Sequence, residues 1–208
     1  DVWRYSDWYG SRGINEIRYS QRHIWRWRDW VVESLNDDKP YDEMVIEMLA
    51  GDELAPSDAN VLRATGFLGR NWYKFDRNVW MFDTVEQTSQ AFLGLTLKCA
   101  RCHDHKFDPV TQEDYYHFRA FFEPHTIRTD RLPGQSDTKQ VGLVRVFDEK
   151  ADAPTFLFKR GNEGQPVKDQ PLLPGVPAAR RFPARPARSR APESVIIVAS
   201  QVTPLLSA

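Results

Sequence analysis

The chain has 208 residues, of which 41% are hydrophobic, so it is long enough to bury one sizeable core. Its 28 basic and 29 acidic residues leave a formal net charge of −1, which excludes the electrostatic attraction typical of nucleic-acid or anionic-membrane binding. No apolar run approaches the length needed to span a bilayer. We therefore expect a compact domain with trailing material, no nucleic-acid partner and no membrane span.

Three segments near the N-terminal side predict helices from their apolar spacing. Over residues 19–36 apolar residues recur three and four apart, and the predicted inward set is Ile24, Trp27, Val31 and Leu35. A second helix is predicted over residues 41–50, between Pro40 and Gly51, with an inward set of Met44, Val45, Met48 and Leu49. Residues 57–68 predict a third helix.

Two capping signatures predict further helices. Asp83 followed by Glu86 has the spacing of a capping box and opens a predicted helix that continues to about His103. Thr111 with Asp114 repeats the signature before a stripe of aromatic residues at helical spacing. The first two-thirds of the chain is therefore predicted to be mainly α.

Beyond Pro133 the composition changes. Residues 141–147 and 155–159 are short β-prone runs separated by turn residues, and the following segment is rich in proline and arginine. The predicted fold class is a mainly α, irregular helical domain with a short β-strand extension and a disordered C-terminal tail. The corresponding boundaries are 1–130, 131–178 and 179–208.

The two cysteines of the chain lie three residues apart and are followed by histidine, in Cys99-Ala-Arg-Cys102-His103. The C-x-x-C-H spacing is that of c-type haem attachment. On a helix Cys99, Cys102 and His103 share one face, so two thioethers and an iron-ligating imidazole come from the same side. The motif predicts haem c, with the two cysteines as covalent anchors, His103 as axial ligand of the iron, and electron transfer as the function.

Two alternatives remain open at this point. Cys99, Cys102, His103 and His105 could bind zinc or another transition metal, as in a metal-dependent and hydrolytic enzyme, although four ligands within seven residues disfavour a closed tetrahedral site. The cysteines could instead form a disulfide in a structural or interaction module. Whether the chain is an enzyme is therefore undecided by its sequence.

A sixth iron ligand has to come from outside the motif, because His105 follows His103 too closely to reach the opposite face of a porphyrin. For each candidate the ordinary role, as core filler or as a hydrogen-bonded group, is the more frequent one. The candidates are Met44, Met48, Met81, His23, His117 and His125.

Residues 92–109, Phe-Leu-Gly-Leu-Thr-Leu-Lys-Cys-Ala-Arg-Cys-His-Asp-His-Lys-Phe-Asp-Pro, resemble the signature of the planctomycete cytochrome-c-like domain family, whose function is unknown. Shorter matching motifs follow the same order as in the family. They are Arg28-Asp-Trp-Val-Val32, Asn36-Asp-Asp-Lys-Pro-Tyr-Asp42, Leu49-Ala-Gly-Asp52, Ala64-Thr-Gly-Phe67, Arg160-Gly161 and Pro174-Gly-Val-Pro177.

The resemblance covers about residues 2–178 and implies a module of a large exported protein, periplasmic or secreted. It implies a separate cytochrome-type domain ahead of this module and another family-specific domain behind it. The expected partner is accordingly a redox protein or the neighbouring cytochrome domain. Since the first residue is neither Met nor part of an apolar leader, we expect any export signal to lie upstream. The resemblance also implies Cys99, Cys102 and His103 as haem-binding residues.

Overall fold

The computed structural model describes residues 22–178, together with the backbone of two short strands at residues 10–13 and 16–18. The elements in chain order are β1 (Gly10–Gly13), β2 (Glu16–Arg18), α1 (Trp25–Asn36), α2 (Tyr41–Leu54), α3 (Ala59–Leu62), α4 (Gly66–Gly69), α5 (Arg77–Thr88), α6 (Gln112–Arg119), β3 (His125–Asp130), β4 (Leu143–Asp148), β5 (Thr155–Phe158) and β6 (Pro166–Leu172). The mainly α fold with a short β extension is confirmed. The tail predicted to be disordered, 179–208, lies outside the described residues.

The strands pair two by two in antiparallel ribbons: β1 with β2, β3 with β4, and β5 with β6. The β3–β4 register is regular from His125 opposite Asp148 to Asp130 opposite Leu143. The sequence predicted β4 and β5 but missed β1, β2, β3 and β6. The missed strands β3 and β6 are rich in polar residues, so they lack the apolar alternation that marks a strand in the sequence.

The described chain forms two compact units. The first contains residues 22–77 and 125–149, and the second contains residues 78–124 and 150–178. No helix in these described segments is both long enough and apolar enough to cross a bilayer. The second unit contains the Cys-x-x-Cys-His motif.

Helix α1 of the first unit buries a stripe that differs in part from the predicted one. Trp27, Trp30 and Ser34 are buried, whereas Leu35 is 58% exposed and Val31 half-buried. The buried face is therefore rotated toward the Trp30 ring, because burying a large aromatic surface outweighs burying one leucine. Helix α4 approaches this face so closely that a Cβ at Gly66 would lie 2.5 Å from the Cβ of Trp27.

Helix α2 confirms its predicted inward set, since Met44, Val45, Met48 and Leu49 are all buried. The helix continues past Gly51 to Leu54, with a non-helical residue at Ala50. The third predicted helix is broken into α3, a 3₁₀ turn over Arg63–Thr65, and α4. The sequence located this helical region but not its interruptions.

Helix α6 of the second unit begins with the predicted capping box. The Thr111 Oγ1 accepts a hydrogen bond from the Asp114 N–H at 3.0 Å, and the Asp114 Oδ2 accepts one from the Thr111 N–H at 3.0 Å. Tyr115, Tyr116 and Phe118 are buried. Two donors that the helix start would leave unsatisfied are thereby paired.

Replacing Thr111 by Ala is expected to lower the free energy of unfolding by about 1–2 kcal/mol, because the cap acceptor is lost. Replacing it by Ser keeps the hydroxyl and is expected to leave most of the stability. Urea denaturation of the two variants measures the difference. Equal midpoints for Ala and Ser would show that the cap contributes little here.

Candidate functional site

The haem-attachment motif lies in a separate short turn rather than at the end of a long helix. Helix α5 continues as a π-helical turn over Ser89–Leu93 and ends at Gly94, which is left-handed with φ +62°. A 3₁₀ turn over Lys98–Arg101 then carries the first part of the motif. The predicted continuous helix from Asp83 to His103 is wrong because a left-handed glycine ends the helix. Asp83 lies inside α5 and is not its cap.

The 3₁₀ turn gives the two cysteines a common side. With three residues per turn, positions three apart eclipse, so Cys99 and Cys102 leave the backbone in similar directions. Leu97 and Ala100 are fully buried and anchor the turn, whereas Cys99 is exposed and Cys102 half-buried. The two sulfur atoms are not joined in a disulfide. The anchored turn thus presents Cys99 outward and leaves Cys102 partly covered.

The imidazole of His103 has a defined tautomer. Its Nδ1 lies 2.7 Å from the carbonyl oxygen of Asp104. A carbonyl oxygen only accepts, so Nδ1 must donate and the neutral ring keeps its lone pair on Nε2. The ring is exposed. A histidine that donates one ring nitrogen to a backbone carbonyl and offers the other is the usual form of a metal-ligating histidine.

The imidazole of His105 is arranged differently. Its Nδ1 accepts a hydrogen bond from the Asp108 N–H at 2.9 Å, and the same nitrogen lies 3.2 Å from the Asp108 Oδ2. With Nδ1 accepting, the neutral ring carries its proton on Nε2. The side chain is only 13% exposed. His105 therefore holds its own loop together, whereas His103 presents a lone pair outward.

The four ligands of the alternative metal site are not gathered around one point. Throughout residues 22–178, no three His, Cys, Asp or Glu side chains are grouped so that they could bind one ion. The arrangement of the motif fits the haem interpretation in two respects: the thiols lie in one turn, and His103 has a free Nε2 lone pair. A zinc or other transition-metal site using His105 would require the Asp108 contacts of that residue to break.

Helix α6 holds the motif from behind. The carbonyl oxygen of Arg101 accepts hydrogen bonds from the Gln112 Nε2 at 3.0 Å and from the Tyr116 hydroxyl at 3.2 Å. The Gln112 backbone N–H donates to the Asp104 Oδ1 at 2.8 Å. Residues on both sides of Cys102 and His103 are therefore tied to the start of α6. Nothing in the sequence indicates this role for Gln112 except its place directly after a helix cap.

The side chain of Arg101 occupies an aromatic and acidic environment in the same unit. Its guanidinium carbon lies 4.5 Å from the centre of the Phe82 ring, and its Nη1 lies 4.0 Å from the Glu86 Oε1. Burial raises the pKa of Glu86, against the opposing effect of Lys98 and Arg101. Arg101, the residue just before Cys102, thus contributes to the packing behind the motif.

Each candidate for a sixth iron ligand has a structural role in the described chain. Met44, Met48 and Met81 are fully buried. The His23 Nε2 lies 2.8 Å from the carbonyl oxygen of Thr138, and the His117 Nδ1 lies 2.6 Å from that of Leu173. Met81 and His117 belong to the unit that contains the motif, and the other candidates belong to the first unit. The sixth candidate is His125.

His125 is buried beside Asp148 in the first unit, with its Nε2 3.4 Å from the Asp148 Oδ1. Burial lowers the pKa of His125 to about 3, and Arg77 adds to the shift. Burial raises the pKa of Asp148 to about 7, and the carboxyl groups of Asp52 and Glu53 add to that shift. Both side chains are therefore stabilised in their neutral forms.

These shifts predict opposite pH dependences of stability. The folded pKa of Asp148 lies above its unfolded value, so its contribution is fully present below about pH 4 and is lost as the pH rises through 7. The folded pKa of His125 is depressed, so its contribution is present above about pH 6.5 and is lost as the pH falls toward 3.

Replacing Asp148 by Asn is expected to raise the stability at pH 8 by about 1–2 kcal/mol, since the Asp148 side chain is 27% exposed and partly screened. Replacing the exposed Asp152 by Asn serves as the control. Thermal denaturation between pH 5 and pH 8 measures the slope. An unchanged slope in Asp148→Asn would contradict the assignment.

Comparison with known protein families finds a match. The family PSCyt2, described as a protein of unknown function (DUF1549), matches residues 1–126. No curated protein and no solved structure matches the chain. The match covers more than half of the chain and includes the Cys-x-x-Cys-His motif, which confirms at family level the resemblance seen in the motifs up to residue 126. The motifs Arg160-Gly161 and Pro174-Gly-Val-Pro177 lie beyond the matched stretch. The chain therefore belongs to the PSCyt2 family of proteins of unknown function.

Proposed function

We propose that this chain binds haem c covalently through Cys99 and Cys102, with His103 as the proximal iron ligand, and that it acts in electron transfer. The observation that carries the proposal is the state of His103. Its Nδ1 donates to a backbone carbonyl at 2.7 Å, its exposed ring leaves Nε2 available, and Cys102, which precedes it in the chain, and Cys99 are both free thiols. This combination is the donor set of a c-type haem.

The cysteines form the covalent attachment. Cys99 and Cys102 would hold the porphyrin by thioether bonds, each thiol adding across one vinyl group so that the sulfur bonds to one vinyl carbon and the thiol hydrogen goes to the other. No oxidant is consumed, but both thiols have to be reduced beforehand. The placement of Cys99 and Cys102 in one anchored turn, with both thiols free and Cys99 exposed, supports this reaction.

The remaining residues position the ligands. The hydrogen bond from His103 to the Asp104 carbonyl orients the ring and increases the basicity of Nε2. Gln112 and Tyr116 fix the Arg101 carbonyl, and Gln112 also binds the Asp104 carboxylate. When bound, haem supplies a one-electron iron couple to this site.

The proposed setting is an exported protein in the periplasm or outside the cell, where c-type haem is attached. The proposed partner is a redox protein or a cytochrome domain of the same longer chain. The exposure of Cys99 and His103 supports a redox partner, because such a partner has to approach the haem edge closely. Electron transfer is thus the function that we propose.

The test is to export the chain together with haem-maturation machinery and to record the absorption spectrum and metal content. We expect a strong Soret band, stoichiometric iron and a spectral change on reduction. The Cys99→Ser, Cys102→Ser double variant, produced in the same way, is expected to lack covalent haem. A colourless parent protein that contains stoichiometric zinc would overturn the proposal in favour of the metal-site alternative, and a colourless, metal-free one would favour the thiol or disulfide module.

A further inference from the structure

A turn in the second unit lies directly against the sulfur of Cys102. It is formed by Lys159–Gly161, in which Arg160 and Gly161 are both left-handed, with φ +52° and +73°. A Cβ at Gly161 would lie 2.5 Å from the Cys102 Sγ and 3.3 Å from the Arg101 carbonyl oxygen. A carbon and a sulfur cannot approach to 2.5 Å without displacement, so the Gly161 backbone packs on this thiol and leaves no room for a side chain.

The same turn is fixed relative to the motif by hydrogen bonds. The Gln112 Nε2, which donates to the Arg101 carbonyl, also donates to the Phe158 carbonyl at 3.0 Å. The Lys159 N–H donates to the Gln165 carbonyl at 3.0 Å, and the Asn162 N–H donates to the Lys159 carbonyl at 3.0 Å. One amide group therefore bridges the residue before Cys102 and the residue before the turn.

The aromatic core of the unit supports this bridge. The Phe158 ring packs edge-on against Tyr116, with 5.3 Å between ring centres, and Tyr116 donates to the Arg101 carbonyl. Phe158 is only 9% exposed. These contacts fix the position of the turn behind the motif. The turn lies outside residues 1–126, the stretch that matches the family.

We infer that Gly161 is a positioning residue for Cys102. Its bare backbone sets where the Cys102 sulfur lies and covers part of it, which leaves Cys99 as the more accessible of the two thiols. The consequence for haem attachment rests on the proposed function: the contact with Gly161 would make Cys102 the anchor whose position is fixed. The contact between Gly161 and Cys102 itself is present in the reduced chain without haem.

The test compares thiol reactivity in the reduced chain. With iodoacetamide, a thiolate displaces iodide and forms a thioether, and peptide mass spectrometry gives the rate for each cysteine. We expect Cys99 to react faster than Cys102 in the parent. In Gly161→Ala the new methyl group displaces the Cys102 sulfur, and the labelling rate of Cys102 is expected to rise by about threefold or more, as side chains in overfilled sites are forced from their positions.

Gly134→Ala is the matched control for backbone strain. Gly134 has φ +76°, close to that of Gly161, but nothing lies within 4 Å of its added Cβ. Both variants therefore carry the cost of a left-handed alanine, and only Gly161→Ala carries the contact with sulfur. We expect Gly134→Ala to leave the rates of both cysteines unchanged.

A double-variant cycle keeps the inference testable if Gly161→Ala is too unstable to label. Removing the sulfur in Cys102→Ala should relieve the contact, so Gly161→Ala should lower the melting temperature by about 5 °C more in the parent than in the Cys102→Ala background. If Gly161→Ala does not fold, the double variant is expected to restore folding.

Unchanged Cys102 reactivity, an additive cycle, or a double variant that still fails to fold would overturn the inference. These measurements use the haem-free chain, so their failure is distinct from a failure to attach haem.

Discussion

Replacing His103 by Ala is expected to remove the proximal iron ligand while leaving both thioether anchors in place. Haem would then stay covalently attached through Cys99 and Cys102, but its absorption spectrum would change and its reduction potential would shift by more than about 0.1 V, since axial ligands set haem potentials over a wide range. Spectroscopy and redox titration of the haem-loaded variant measure both effects.

The control for this substitution is His105→Ala, two residues further along. The His105 Nδ1 is held by the Asp108 N–H at 2.9 Å, so removing this ring is expected to loosen the loop without changing the iron ligand. In the alternative metal site both imidazoles are ligands, and either substitution would lower the metal content to a similar degree. Equal losses of metal, with no haem in the parent, would contradict the haem assignment.

Replacing Trp27 by Ala is expected to produce the largest loss of stability. Trp27 is 1% exposed, lies edge-on to Phe67 with 6.1 Å between ring centres, and faces Gly66 at close range. Truncating a buried tryptophan removes its apolar burial and leaves a cavity between α1 and α4 that neighbouring side chains fill only in part, which costs about 3–5 kcal/mol. The melting temperature is expected to fall by about 6–20 °C.

Trp25→Ala is the matched control, because Trp25 lies on the same helix but is 41% exposed, with the Arg26 guanidinium over its ring. We expect its replacement to cost about 1 kcal/mol or less. Thermal denaturation of the two variants, under one set of conditions, gives the comparison. Similar losses for Trp25 and Trp27 would show that the first unit is not packed as described.

The three tryptophans of α1 show which features of a buried helix face can be predicted from the sequence. Helical spacing located the helix and correctly placed Trp27 inward, but it favoured Leu35 where the structure buries Trp30. Spacing alone locates the buried face of a helix only to within a rotation of about one residue around the helix axis. Which of two neighbouring apolar side chains is buried depends on the surface that packs against them. That surface includes Gly66, which is distant in the sequence.

The candidate site shows the same division. The residue types and spacing of Cys99, Cys102 and His103 were visible in the sequence, and so was the capping box that opens α6. The 3₁₀ turn was not, because Gly94 could be read as a tolerated glycine inside a helix, and only its left-handed backbone reveals the break. The contacts of Gln112 and Gly161 with the motif join residues far apart in the chain, so no local pattern could predict them.

The most direct test of the haem assignment is mass spectrometry of the chain exported with haem-maturation machinery. We predict an intact mass equal to the polypeptide plus one haem, and a proteolytic peptide spanning Cys99 to Cys102 that carries the same addition. An intact mass equal to the bare polypeptide, in a sample where a control c-type cytochrome is fully loaded, would contradict it.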